Sequence, residues 1–193
     1  MGKKINIYLK EQIKAIEELQ KEEEVIQKIF SVLKTARDRN GKIFLMGNGG
    51  SASTASHFTA DLLKTSILKK EKRFKSICLS DNTPVLLAWS NDSSYDDVFI
   101  GQLENFLEKN DVVIGISGSG NSLNVIKAIE FAKKNNNSTI SLTGKGGGKL
   151  SKISKINLTV KSDDMLTIES IHLLICHTIT TLLRKDGEPL FSY

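Results

Sequence analysis

Short apolar runs alternate with longer helical segments between residues 42 and 161. The apolar runs are KIFLMG (42–47), FKSICLS (74–80), DVVIGIS (111–117), STISLT (138–143) and KINLTV (156–161). Runs rich in Val, Ile and Leu without polar alternation are typical of strands that are covered on both faces, as in parallel sheets. Segments with helical spacing lie between and after them, at about 51–68, 96–109, 121–135 and 165–185. The pattern predicts an α/β fold, a doubly wound three-layer sandwich around a five-stranded parallel sheet.

The region before the first apolar run is helical in pattern. Residues 4–39 place apolar side chains at helical spacing among Lys and Glu, which predicts a pair of helices packed on the rest of the protein. A chain of 193 residues suits one core. We therefore expect a single domain over 1–193, with 1–40 as an N-terminal helical extension.

Composition narrows the class of protein. No unbroken apolar run approaches the roughly 18 residues of a membrane helix, and the start MGKKINIYLK lacks the apolar core of a secretory signal. We expect a cytoplasmic protein with no membrane partner. Cys78 and Cys176 lie in apolar segments, which favours buried free thiols over a disulfide.

The net charge of +5 raises the question of nucleic acid. The lysines are dispersed, aromatic residues make up 6% of the chain, and the basic segment LKKEKRFK (68–75) is typical of a solvated edge. We expect no nucleic-acid partner. The charge also suits a small anionic substrate.

Two loops after predicted strands carry the candidate chemistry. In LMGNGGSAST (45–54), glycines let the backbone approach a ligand, and Ser51 begins a helix whose free N–H groups favour an anion. The loop Ser117–Ser122 (SGSGNS) holds the same position after the third strand and adds three hydroxyls. Since ligands collect beyond the carboxyl ends of parallel strands, the two loops together favour a phosphate monoester. The alternative is that their polar residues are only helix caps.

Two nucleotide patterns compete with this interpretation. Gly47, Gly49 and Ala52 match the dinucleotide pattern G-x-G-x-x-A, and Asp81 ends the next strand as a ribose-binding acid does. That site leaves the second loop without a role. The segment TGKGGGKLS (143–151) fails the Walker A pattern, because Leu150 stands where Ser or Thr is needed, and we interpret it as a flexible turn. No nucleotide cofactor is expected.

Histidines and carboxylates form a second group of candidates. His57 and Asp61 are four residues apart, so they share one helix face. Glu169 and His177 on the last helix are eight residues apart, about 80° around the helix axis, and can border one cleft. The alternative is that His172 and His177 are histidines at the edge of the core with satisfied hydrogen bonds.

Four ordered motifs resemble a known family. GNGGSASTASHFTADL, WSNDSSYDDVF, GISGSGNSLNV and IESIHLLICH are similar in order and spacing to the sugar isomerase (SIS) domain, and specifically to the phosphoheptose isomerases. The resemblance implies an aldose-ketose isomerase that converts sedoheptulose 7-phosphate to D-glycero-D-manno-heptose 7-phosphate. It also implies a homotetramer with sites at subunit interfaces, assembled through the N-terminal helices.

The resemblance also implies roles for individual residues. Those expected to bind substrate are Asn48, Gly49, Gly50, Ser51, Asn91, Asp92, Ser117, Gly118, Ser119, Ser122 and Glu169. We interpret Asp61 as the catalytic base and His177 as the acid or proton shuttle, since isomerisation needs both. Zn²⁺ is the candidate cofactor, one cation per site, with His57, Asp61, Glu169 and His177 as its ligands. Whether Asp61 is base or metal ligand stays open.

The chain departs from the family pattern at three positions. Asp61 replaces the usual Glu, Glu169 replaces Gln, and Thr65 replaces an Arg for which Lys64 is the neighbouring cation. A non-catalytic phosphosugar sensor or protein-binding regulator built on the same domain is the alternative to the enzyme, and a nucleotide-dependent oxidoreductase is a third hypothesis.

Overall fold

The computed structural model describes residues 1–192, which form five β-strands and eight α-helices. The strands are Lys42–Gly47 (β1), Lys75–Cys78 (β2), Val112–Ser117 (β3), Ser138–Thr143 (β4) and Ile156–Thr159 (β5). The helices are Gly2–Gln20 (α1), Glu23–Asp38 (α2), Gly50–Ala60 (α3), Thr83–Asp92 (α4), Ile100–Phe106 (α5), Leu123–Lys134 (α6), Leu150–Ile153 (α7) and Met165–Lys185 (α8). A π-helical turn, Asp61–Thr65, continues α3, and a 3₁₀ turn, Tyr95–Asp97, precedes α5.

The five strands form one sheet in the order β2-β1-β3-β4-β5, and every pairing is parallel. This confirms the predicted doubly wound architecture. The chain winds outward in both directions from β1 and β3, which lie side by side with Gly47 opposite Ile116. Ligands of open α/β sheets bind at such a switch point, beyond the carboxyl ends of the strands.

Each face of the sheet has its own apolar core. On one face, alternate residues such as Leu45 and Ile114 pack against α1, α2, α3 and α8. On the other, Phe44 and Val113 pack against α4, α5, α6 and α7. The strands are buried on both sides, which explains why their sequences show no polar alternation. Helix α2 contributes Ile29 and Leu33 to the first core, so the N-terminal region is packed into the fold.

Helix α8 is the longest helix of the described residues, and it is strongly apolar. By length and mean hydropathy of 1.4 it is the one helix within residues 1–192 that meets the criterion for a membrane span, which a count of unbroken apolar runs overlooked. Half of that stretch is buried here, and Ile171, Ile175 and Ile179 lie in the first core. In this fold α8 is a core helix that packs against α3.

The sequence prediction was wrong about the segment between β2 and β3. A helix was expected at 96–109, but the structure has α4 before it, then the 3₁₀ turn and the shorter α5. The cluster S-D-N-T-P resembles a loop, yet Asn82 caps α4 by accepting from the Val85 N–H, and Pro84 occupies the first turn. Proline is favoured at that position because its missing N–H has no helical partner to lose.

Both cysteines are buried free thiols, as expected. Burial raises the pKa of the Cys78 thiol to about 12. Burial likewise raises the pKa of Cys176, which lies in the first core between α8 and its neighbours. Thiolate is the reactive form of cysteine, so neither side chain is a candidate nucleophile.

Candidate active site

The first loop turns from β1 into α3 through Asn48 and Gly49. Gly49 has a φ of +54°, a conformation that glycine adopts without strain. The Ser51 N–H donates to the Asn48 carbonyl over 3.0 Å, which closes the turn, and the Ser51 side chain is buried at the start of the helix. The loop therefore has the tight shape that the sequence predicted.

Asn48 is fixed by partners that the sequence did not reveal. Its amide donates to the Asn124 Oδ1 over 3.0 Å and accepts from the Asn124 Nδ2 over 2.9 Å. The Tyr95 hydroxyl also donates to the Asn48 Oδ1, over 2.8 Å. Asn124 is buried at the beginning of α6 and Tyr95 opens the 3₁₀ turn, so Asn48 links three elements. Their separation in the chain, 76 and 47 residues, hides this contact from any local pattern.

The second loop brings its three hydroxyls together. The Ser117 Oγ lies 3.0 Å from the Ser122 Oγ and 3.4 Å from the Ser119 Oγ. Gly120, at φ +66°, turns the chain between them, and its N–H donates to the Ser117 carbonyl. Three hydroxyls around one point offer an anion several donors at once.

The two loops lie side by side under the first turns of α8. β1 and β3 are adjacent parallel strands, so both loops leave the same edge of the sheet. Ile168 and Met165 pack closely over Gly118, and the Glu169 carboxylate lies so close over Gly50 that a side chain there would overlap it. The expected juxtaposition of the loops is confirmed.

His57, Asp61 and His177 converge two to three turns along α3. The two imidazole Nε2 atoms are 2.9 Å apart, and the Asp61 Oδ2 lies 3.7 Å from that of His57 and 3.9 Å from that of His177. The Thr180 hydroxyl donates to the same carboxylate oxygen over 3.4 Å. Two imidazole nitrogens and one carboxylate oxygen thus lie close together, all within 4.8 Å of one another.

The three residues of this cluster differ in exposure. The side chains of His57 and His177 are 50% and 48% exposed, whereas that of Asp61 is 13% exposed. The carboxylate is therefore held at the bottom of a shallow site whose imidazoles reach the surface.

The helix changes to a π-helical turn at Asp61. The Ser66 N–H bonds to the Asp61 carbonyl over 2.9 Å, five residues back, and the buried Ser66 hydroxyl bonds to the Leu62 carbonyl. Such turns are frequent at functional sites, because one wider turn re-aims the side chains that follow. No feature of the sequence predicted it.

Other predicted site residues lie outside this cluster. Glu169 is not among the three converging groups, since its carboxylate lies over Gly50. Asn91 and Asp92 end α4, are exposed, and bond to each other over 2.7 Å. Within residues 1–192 neither makes a hydrogen bond to the two loops.

The two histidines of the last helix have different environments: His172 lies in the core, and His177 lies in the cluster. His172 is fully buried and its Nε2 bonds to the Thr143 carbonyl over 3.1 Å, so it is a core histidine. Burial lowers the pKa of His172 to about 4, and the bond to the carbonyl opposes this shift. His177 faces the cluster with Asp61.

A cleft of about 630 Å³ borders the cluster. Asp61 and His177 form one side, and Thr65, Arg184 and Pro189 are among the residues around it. Lys64, the cation next to Thr65, lies over the Phe191 ring at 4.6 Å. A second cavity of about 620 Å³ lies at the opposite edge of the sheet, near Arg39 and Asp111, away from every candidate residue. The first cavity is the one joined to acid-base groups.

Comparisons with known proteins show the family of the chain. Residues 7–144 match the model of the SIS domain. The chain is 41% identical to a phosphoheptose isomerase of Helicobacter pylori over 172 residues, which is 89% of this chain and 88% of that protein. It is 44% identical to one of Aliarcobacter butzleri over 174 residues, 90% and 89% of the two chains. The solved phosphoheptose isomerase of Neisseria gonorrhoeae has a TM-score of 0.88 at 30% identity, covering 95% of this chain and 98% of the other.

Proposed function

The chain belongs to the phosphoheptose isomerases of the SIS domain family, and we propose that it converts sedoheptulose 7-phosphate to D-glycero-D-manno-heptose 7-phosphate. It is an aldose-ketose isomerase. The observation that carries the proposal is the convergence of His57 on α3, Asp61 in the π-helical turn that continues α3, and His177 on α8. Two of the three acid-base groups thus follow the first loop on one continuous helical segment.

The phosphate of the substrate binds the two loops at the edge of the sheet. Ser51, Ser117, Ser119 and Ser122 supply hydroxyl donors, and the start of α3 adds backbone N–H groups and its partial positive charge. Asn48 binds a sugar hydroxyl from the orientation that Asn124 and Tyr95 impose. Asn91 and Asp92, on the exposed end of α4, complete the set of sugar contacts, and Glu169 closes the loop from above.

Asp61 and His177 move the protons of the reaction. The Asp61 carboxylate takes one proton from C1 of the ketose, and the C2 carbonyl oxygen receives a proton from His177, which gives an enediol. His177 then takes the proton of the C1 hydroxyl, and Asp61 returns its proton to C2. The carbonyl has moved from C2 to C1, and both residues are restored. Each proton crosses a short distance, since the two side chains face the same point.

The same cluster fits one Zn²⁺ ion. His57, Asp61 and His177 offer two imidazole nitrogens and a carboxylate oxygen, which are preferred zinc ligands, and their proximity suits a single ion. Glu169 is proposed as a fourth ligand after a change of rotamer. When bound, the ion supplies Lewis acidity toward the carbonyl oxygen. An Asp61 carboxylate that binds zinc is not available to accept the substrate proton, so the two proposed roles of Asp61 exclude each other.

The active site is proposed to lie at an interface of a homotetramer in the cytoplasm. The half-exposed imidazoles leave the cluster open on one side, where a second copy of the chain fits. Residues 1–40 provide the assembly surface, because Ile5, Leu9 and Ile13 form an exposed apolar stripe along α1. The proposed small-molecule partner is a sugar phosphate, and the proposed reaction requires no nucleotide, nucleic acid or membrane.

Purified protein incubated with sedoheptulose 7-phosphate tests this function. Formation of aldoheptose 7-phosphate is expected, with a rate that changes when zinc is added or chelated. Absence of turnover with and without zinc, together with stabilisation by the sugar phosphate, identifies the non-catalytic sensor instead. Thermal stabilisation by NAD(P) and not by sugar phosphate identifies the oxidoreductase.

A further inference from the structure

The glycine-rich segment 144–149 (GKGGGK) has no role in the proposed reaction, yet it contacts the second loop through Gly144, Gly147, Gly148 and Lys149. Gly144 donates its N–H to the Gly118 carbonyl over 3.1 Å, and Leu150, just beyond the segment, donates to the Gly120 carbonyl over 3.0 Å. The segment is a turn, as expected, and it is hydrogen-bonded at both ends to the second loop.

These bonds also engage most of the backbone N–H groups that a second phosphate cradle in the segment would need. A phosphate-binding loop presents several free backbone N–H groups to its ligand. Here the N–H groups of Gly144, Gly147, Lys149 and Leu150 all donate within the protein. The side chain of Lys149 pairs with Glu130 over 2.8 Å. Most of its N–H groups and the Lys149 side chain are therefore already engaged by other groups of the protein.

Asn121 is the side chain that joins the two segments. Its Oδ1 accepts from the Lys149 N–H over 2.9 Å, and its Nδ2 donates to the Ser119 carbonyl over 3.1 Å. Its own backbone N–H donates to the Ser119 hydroxyl over 3.2 Å. The side-chain amide thus ties the Ser119 carbonyl to the glycine-rich segment, while the backbone N–H of Asn121 holds the Ser119 hydroxyl.

The contact leaves no room for larger residues. A side chain at Gly120 would overlap the Gly147 carbonyl, and one at Gly148 would lie 2.6 Å from the Ser119 carbonyl and 2.7 Å from the Asn121 Oδ1. Gly148 also has a φ of +54°. This close packing of backbone on backbone gives the second loop (Ser117–Ser122, hereafter the serine loop) a rigid support. An anion site made of several hydroxyls requires such support.

We propose that segment 144–149 and Asn121 position the serine loop for the phosphate group of the substrate, with Asn121 as a positioning residue that does not touch the substrate. This inference rests on the proposed phosphate-binding role of Ser117–Ser122. It assigns the glycine repeat to support of the site instead of nucleotide binding.

Two pairs of variants test the role. Asn121→Ala removes both amide bonds and is expected to weaken inorganic phosphate binding, and to raise KM for the sugar phosphate, by about tenfold. The value of kcat is expected to stay within about twofold of wild type, because the acid-base groups keep their geometry. Asn135→Ala, which removes an exposed amide bond at the far end of α6, is the matched control and is expected to leave phosphate binding unchanged.

A second pair of variants, Gly148→Ala and Gly146→Ala, distinguishes the effect of steric contact from that of backbone strain, because both glycines have a positive φ. Gly148→Ala places a methyl group against Ser119, whereas Gly146→Ala meets no atom within 4 Å although its φ is +77°. Only Gly148→Ala is expected to weaken phosphate binding, measured by calorimetry on folded protein. Unchanged phosphate affinity in both Asn121→Ala and Gly148→Ala overturns the inference, and if Gly148→Ala does not fold, Asn121→Ala decides alone. If Ser119→Ala binds phosphate as wild type does, the proposed phosphate site itself fails.

Discussion

At the scale of single residues, Asp61 has the strongest claim to a chemical role. Asp61→Asn keeps the shape and the bond from Thr180 but removes the proton acceptor. We expect kcat to fall by about 10²- to 10⁴-fold while phosphate affinity stays near that of wild type. Steady-state assays and phosphate titration measure the two effects. Glu104→Gln makes the same chemical change at an exposed position of α5, and a loss of activity there would point to a general effect.

Buried His172 gives the molecule a predictable response to acid. The pKa of His172 is about 4 in the fold against 6.5 for the free side chain, so the unfolded chain binds a proton first as the pH falls. The stability that this residue retains at neutral pH is lost as the pH falls from about 6.5 towards 4. We expect a loss of about 2 kcal/mol from pH 7 to pH 5 through His172 alone.

His172→Gln isolates that contribution. The glutamine Nε2 can donate to the Thr143 carbonyl as the imidazole does, but it does not titrate. Urea unfolding at pH 7 and at pH 5 is expected to show a smaller loss of stability in the variant than in wild type. Equal losses in the two proteins would contradict the assignment of this acid sensitivity to His172.

At the same scale, residue types predicted the candidate groups that the structure brings together better than they predicted the residues that support them. Local sequence patterns were enough to predict Ser51 and Ser117, which follow strands, and the pair His57 and Asp61, which are four residues apart. Asn124 and Tyr95 do not, because their partner Asn48 is 76 and 47 residues away in the chain. Glu169 was placed with the metal ligands by resemblance, but a side chain's rotamer, here directed at Gly50, is not written in the spacing.

At the scale of elements, the junction of the first loop with α6 depends on one buried amide. Asn124→Ala removes two bonds to Asn48 and the bond that the Val125 N–H makes to the Asn124 Oδ1. We expect a loss of about 1–3 kcal/mol in the free energy of unfolding, since three hydrogen bonds are lost and the half-buried Asn48 Nδ2 loses its acceptor. Denaturant unfolding measures it. Exposed Asn135→Ala is the control, and a comparable loss there would refute the special role of Asn124.

Strands were easier to predict than the connections. The bounds of β1 and β4 match their apolar runs, because two-sided burial leaves a continuous apolar signature. Helix α4 was missed because its cap and proline look like a turn, and the glycine repeat was predicted as a turn without its bonds to the second loop, because glycine is permissive alone. In both cases a contact made elsewhere in the fold decided the conformation.

At the scale of the whole molecule, the exposed stripe on α1 predicts assembly. Leu9→Glu combined with Ile13→Glu puts two charges on that stripe, and burial of unpaired charge opposes association. We expect the variant to have about a quarter of the wild-type mass in sedimentation and to lose activity. Lys4→Glu with Lys14→Glu, at exposed positions about 140° around α1 from the middle of the stripe, is the control. A variant of unchanged mass would show that α1 is not the assembly surface.

The state of the two cysteines has a practical consequence for experiments on this protein. Their thiols are shielded and hold their protons at neutral pH, so maleimide reagents should leave the native protein unmodified. A cysteine introduced on an exposed helix would then be the sole labelling position on the folded molecule. Fluorophore pairs and spin probes can therefore be attached without first removing the natural thiols, and motions of the site during turnover become directly measurable.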